Sequence, residues 1–158
     1  MTDEQKQQFT RKITNANKTE MIVILYEMVL TYAEDAKKAL EKQDMETFHI
    51  EIQRAKACVK ELQNSINFDN KLAMNYFELY LFLRRELSKA DVAGNKTALD
   101  NVCNIVEEMR ETYQKLSKAD TSRPVMENAQ AVYAGLTYGK NSLNESLASQ
   151  DIDRGFRV

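Results

Sequence analysis

The sequence predicts an all-α protein, an antiparallel up-and-down four-helix bundle with a C-terminal extension able to form a fifth short helix. Three observations predict it. Glycine and proline are scarce, four and one in 158 residues, so tight β-turns are hard to build. Strong helix formers (Ala, Leu, Lys, Glu, Gln and Met) are abundant. Apolar residues also recur at alternating spacings of three and four in successive blocks, which is the period of one buried helix face.

Residues 1–16 read as a flexible N-terminal arm, polar and with Phe9 as its one aromatic. Residues 17–120 read as the bundle. Its first helix starts at Asn17, whose side chain can cap the free amides of the first turn, with Glu20 completing a capping-box pair. This helix runs to about Lys42. Its first half, Met21 to Leu30, is apolar almost all round, which demands burial on several sides or leaves a contact surface unfilled. The second helix follows Asp44 and aligns Met45, Phe48, Ile52, Ala55, Val59, Leu62 and Ile66 in one narrow seam.

The third helix, about Lys71 to Ala90, carries a stripe of Leu72, Tyr76, Leu79, Leu83 and Leu87. Beside it, Phe77, Tyr80, Leu81 and Phe82 add more apolar surface than one seam can bury. After the turn at Ala93-Gly94-Asn95, the fourth helix reads Leu99, Val102, Val106, Met109, Tyr113 and Leu116. The short connections make successive helices antiparallel neighbours. Residues 121–158 form a C-terminal segment and tail. Within it Val125, Ala129, Val132, Leu136, Leu143 and Leu147 make an amphipathic stripe, which Gly135 and Gly139 weaken by about 1 kcal/mol each relative to Ala. This segment either docks on the bundle in place of a partner or is a tail that orders in complexes.

A formal net charge of -2 with no clustered basic block argues against nucleic-acid binding. No stretch is apolar enough for membrane insertion, and no apolar leader precedes the body, so a cytoplasmic location is expected. Cys58 and Cys103 fall inside helical patterns and read as reduced core residues. Glu46 and His49 have the E-x-x-H spacing of a di-iron helix, but the chain has one histidine and such a site needs two copies. His49 therefore reads as a surface residue, and neither a metal nor another cofactor is expected. No phosphate-cradling glycine loop or activated thiol supports an enzyme. Arg84-Arg85-Glu86 reads as a solvated, charge-paired face able to steer an acidic partner.

Several blocks resemble, in order and spacing, the flagellar export chaperone family FliS, from about Lys12 to Tyr113. Thr19 to Glu27 is similar to the family's opening of its first helix, and Leu62-Gln63-Asn64-Ser65-Ile66-Asn67-Phe68 to the close of its second. Leu79 to Asp91 resembles the Leu-Tyr and Arg block of the third helix, and Glu107 to Tyr113 stands in place of a Leu-Arg-x-x-Trp pattern. Tyr113 replaces the Trp of many members, Asn70-Lys71 replaces a Gly-Gly pair, and Lys18 a Pro. The resemblance implies a cytoplasmic chaperone that clamps the disordered C-terminal region of flagellin, prevents early polymerisation and delivers it to the flagellar export apparatus. The apolar excess nominates Tyr26, Tyr76, Leu79, Tyr80, Leu83, Val102, Val106 and Met109 as partner-binding residues. The rival readings are a helical adaptor that binds another amphipathic segment and a ligand- or metal-binding bundle.

Overall fold

A computed structural model describes residues 1–126, and residues 1–125 form one compact unit. Its elements are α1 (Asp3–Asn15), α2 (Lys18–Glu41), α3 (Met45–Asn64), α4 (Ala73–Ala93) and α5 (Lys96–Ser117). The described residues contain no strand.

Each helix from α2 to α5 packs on its sequence neighbour, and α5 closes the ring by packing on α2. Pairs of contacting residues fix the directions. Lys96 meets Glu41 and Lys37 meets Asp100, while Tyr26 meets Tyr113, so α2 and α5 run antiparallel. His49 meets Asp91 and Gln63 meets Arg84, which sets α3 against α4 in the same sense. The Tyr76–Tyr113 pair does so for α4 and α5. Tyr26, Val29, Phe48, Ile52, Val59, Leu62, Leu83, Leu87, Leu99, Val102 and Val106 fill the core with no exposure.

The bundle helices begin and end where the capping residues require. Asn17 and Glu20 form the capping box of α2, the Asp44 carboxylate accepts from the Thr47 amide, and the Asn95 side chain accepts from the Ala98 amide. Gly94 ends α4 in the left-handed region at φ 58°. A Cβ there would sit 3.5 Å from a Leu40 methyl, an ordinary contact, so backbone conformation rather than space favours glycine. Gln43 holds the same φ between α2 and α3 without being glycine. Gln43→Gly is therefore expected to raise stability by about 0.5–1 kcal/mol, read from the midpoint of urea unfolding, because the relieved left-handed strain exceeds the added chain entropy.

The third helix starts two residues later than expected and reaches Ala93. Leu72 is its cap rather than part of its buried stripe, and makes no side-chain capping bond. Ahead of it, the Asn67 and Asn70 side chains accept from the amides of Asp69 and Leu72, shaping the connection as successive Asx turns.

The larger departure is α1, a helix in the segment expected as a flexible arm. Thr2 and Gln5 form its capping box, with Asp3 and Glu4 in the first turn complementing the helix dipole. It packs on α2, antiparallel to it, with Lys12 paired to Glu27 at 2.6 Å. The near-continuous apolar character of α2 thereby acquires a reason. Tyr26 and Val29 are buried in the bundle core, and α2 also bears α1. Beyond α5, residues 118–125 return to the α1–α2 junction. The Val125 backbone amide donates to the Ala16 carbonyl (2.9 Å), the Asn17 side-chain Nδ2 to the Asp120 carbonyl (3.1 Å), and the Thr19 hydroxyl to the Asp120 carboxylate.

Hydrogen bonds to the carboxylate, from the Thr19 hydroxyl first and Ser122 next, hold the Asp120 carboxyl at a pKa of about 2, well below the usual range. A folded-state pKa that is depressed adds stability above the unfolded value of about 4, and that stability is lost as pH falls through about 2. Asp120→Ala is accordingly expected to speed hydrogen exchange at the Val125 amide at neutral pH. In the parent protein, that amide should keep its protection until the pH drops below about 4. Unchanged exchange in the variant would show that the Asp120 carboxylate does not hold the segment.

The stripe of residues proposed for a fifth C-terminal helix lies, apart from Val125, outside the described residues.

Candidate functional site: an unsealed apolar seam between α4 and α5

The Tyr76–Tyr113 pair, with ring centroids 6.0 Å apart, sets the register between these two antiparallel helices. Stepping by three and four from that pair places Leu79 level with Met109 and Leu83 with Val106, then Leu87 with Val102. In the other direction Leu72 stands level with Leu116. The seam is continuous in sequence but not in burial. Leu83, Leu87, Val102 and Val106 are fully buried. Leu79, Met109, Tyr76 and Tyr113 are half-buried, and Leu72 and Leu116 are 52% and 53% exposed. From Leu79 and Met109 to the end of the bundle, a stretch of about 10 Å on each helix, the seam is a partly exposed apolar surface bridged by the Tyr76–Tyr113 contact.

Tyrosines form its floor. The Tyr26 and Tyr80 hydroxyls lie 2.7 Å apart in the buried interior. Tyr113 packs on Tyr26 at 5.7 Å, and Tyr76 stacks on Tyr80 at 6.5 Å. Burial, reinforced by the neighbouring Tyr80 hydroxyl, pushes the Tyr26 hydroxyl far above its ordinary value. Burial likewise raises Tyr80 and Tyr113, the latter helped by Tyr76. All these hydroxyls are neutral at physiological pH, so the cluster offers hydrogen-bonding groups on an apolar bed. The Tyr26–Tyr80 bond is testable: Tyr80→Phe leaves the buried Tyr26 hydroxyl without its partner and is expected to cost about 1–3 kcal/mol in urea unfolding. A neutral effect would show that another group satisfies Tyr26.

The structure thus divides the eight nominated residues into three sets. Tyr76, Leu79 and Met109 are half-buried along the seam. Tyr26 and Tyr80 lie beneath it. Leu83, Val102 and Val106 belong to the sealed part of the core and present no surface. Sequence reasoning did not nominate Leu72 and Leu116, although both stand on the predicted seams. It also passed over Phe68 and Met74, 63% and 56% exposed at the same end of the bundle. Phe68 packs on Phe77 at 6.2 Å. The available signal was position: all four lie at helix ends or in the α3–α4 connection, where a seam has no further turn to cover it.

The other candidates resolve differently. His49 is exposed and its Nδ1 lies 2.7 Å from Asp91 on α4. Gln53 and Lys56 donate to the other carboxylate oxygen of Asp91 at 2.9 and 3.0 Å, making a clamp between α3 and α4. Burial works to raise the Asp91 pKa, but His49 and Lys56 outweigh it and the net shift is downward. The described residues bring together no group of three His, Cys, Asp or Glu able to hold a metal. Cys58 is buried and burial pushes its thiol up to about 11. Cys103 is half-buried rather than a core residue, and burial raises it also. Neither thiol is a ready nucleophile.

Residues 1–120 match the model of the family described as flagellar protein FliS. No curated protein matches the chain.

Proposed function

The chain belongs to the FliS family of flagellar chaperones, and from that membership we propose that it binds the C-terminal region of flagellin. In this reading it acts in the cytoplasm, keeps that region from polymerising early and passes it to components of the flagellar export apparatus. No helix of the described residues is long and apolar enough to cross a membrane.

The observation that supports the reading is the partly exposed apolar seam between α4 and α5, half-buried at Leu79, Tyr76, Met109 and Tyr113 and more than half exposed at Leu72 and Leu116. A disordered client that folds as an amphipathic helix would place its apolar face between Leu72, Tyr76 and Leu79 on one side and Met109, Tyr113 and Leu116 on the other. Ordering such a segment costs about 2–5 kcal/mol or more of the gross contact energy, which keeps the complex releasable.

Titration calorimetry with the C-terminal segment of flagellin from the same organism tests this. Binding with a large negative heat-capacity change is expected, the mark of apolar burial coupled to folding. No binding at about 100 μM, that is, an affinity weaker than about 5.5 kcal/mol, would remove the proposal.

A further inference from the structure

The outer face of α4, turned away from the core, carries a second seam. Leu81, Arg85, Ser88 and Val92 follow one another at spacings of four, three and four, the pattern by which one helix receives another. Leu81 is 38% exposed and Val92 91%. With Arg84 and Lys89 they border one open groove. Two exposed apolar side chains, Leu81 and Val92, thus stand at the two ends of a face whose middle is Arg85 and Ser88.

The charges give the missing occupant its sign. Lys89 is paired with Glu86 at 2.5 Å. Arg84 has a neutral partner, Gln63, at 3.3 Å, and Arg85 has no hydrogen-bond or ion-pair partner among the described residues. The chain as a whole carries a formal net charge of -2, so this local positive surface runs against the average. Glu78, one turn before Leu81, marks where it ends.

We propose that this face of α4 is a docking surface for an amphipathic helix of a second protein. That helix carries apolar residues opposite Leu81 and Val92 and carboxylates opposite Arg84 and Arg85. From Leu81 to Val92 the surface is about 16 Å long, which three turns of helix cover. The site is separate from the α4–α5 groove, on a different face of the same helix, so it can be filled while a client is held.

Fluorescence anisotropy on the full chain tests it, with a labelled amphipathic helical peptide of leucines at three-four spacing and glutamates flanking them. A second peptide has lysine in place of every glutamate. The glutamate peptide is expected to bind at least about tenfold more tightly than the lysine peptide, and to weaken as salt rises from low to high concentration. The double variant Arg84→Glu, Arg85→Glu should lose about tenfold, and Val92→Asp a comparable factor. Both changes are on exposed positions, and circular dichroism verifies that the variants fold.

Equal binding of the two peptides, or no loss in either variant, would overturn the proposal. Binding to phosphatidylserine vesicles with none to the glutamate peptide would replace it with a membrane contact. Displacement of the peptide by saturating flagellin segment would make this face part of the client site and would also overturn it. Failure of the flagellin segment to bind leaves the peptide result standing, so the two readings fail separately.

Discussion

Replacing Leu79 and Met109 together by aspartate is expected to weaken binding of the flagellin segment by at least about thirtyfold while the protein stays folded. The register set by Tyr76 and Tyr113 places the two residues level with each other on α4 and α5, and both are only half-buried. A carboxylate on each wall would have to be desolvated when an apolar helix enters, which the complex has no means to compensate. Loss of a central apolar anchor typically costs about 2 kcal/mol or more, equivalent to about thirtyfold in affinity. The measurement is calorimetric titration beside thermal unfolding. If the variant also unfolds early, Leu72→Asp with Leu116→Asp repeats the test at positions that are already more than half exposed. Unchanged affinity in a folded variant of either pair would move the client away from this groove.

Leu83→Ala should give the opposite pattern. Leu83 is one step along the same stripe from Leu79, yet it is fully buried. Removing its branched end leaves a cavity between α4 and its neighbours and is expected to cost about 2–5 kcal/mol in urea unfolding. Affinity for the client, measured where the variant is still folded, should change little because Leu83 offers no surface. A large loss of affinity without loss of stability would mean that the seam opens further than Leu79 when a client arrives. The two substitutions together locate the boundary between core and groove to within one helical turn.

Charge at the other end of the bundle has a smaller effect. Asp91→Asn removes the acceptor shared by His49, Gln53 and Lys56, and about 1 kcal/mol is expected, since His49 is half-exposed and water screens the pair. The Asp91 pKa is depressed in the fold, so this contribution is present above the unfolded value of about 4 and is lost as pH falls below it. Urea unfolding of parent and variant should therefore converge in acid.

The bundle was legible because its helix boundaries are written in short side chains. Asn17 with Glu20, Asp44, Asn95 and the left-handed Gly94 each act within one turn of their own position, so sequence alone can place them. Helix α1 was not legible because Asp3–Asn15 contains few apolar residues, chiefly Phe9 and Ile13, too few to mark a stripe. Its helix depends on the Thr2–Gln5 box and on contact with α2, which no local pattern reveals. The apolar excess on the third predicted helix and the seam on the fourth were legible from spacing alone. Which rungs of the seam stay open was not, because periodicity treats Leu79 and Leu83 alike. Their difference arises from how far each lies from the end of the bundle, and from the late, uncapped start of α4 at Leu72.

The polar ties between bundle helices are unevenly spread. Lys96 to Glu41, Lys37 to Asp100 and the Asp91 clamp all lie toward the end where α2 joins α3 and α4 joins α5. At the opposite end, residues 118–125 tie back to the start of α2, while α4 is held by tyrosine ring contacts and by the Tyr26–Tyr80 and Arg84–Gln63 hydrogen bonds, and begins without a side-chain cap. Ion pairs from α4 to another helix are therefore confined, among the described residues, to its last turn at Asp91. A partner inserting at the Leu72 end would have to part the tyrosine contacts and the Tyr26–Tyr80 hydrogen bond, but no ion pair from α4 to another helix.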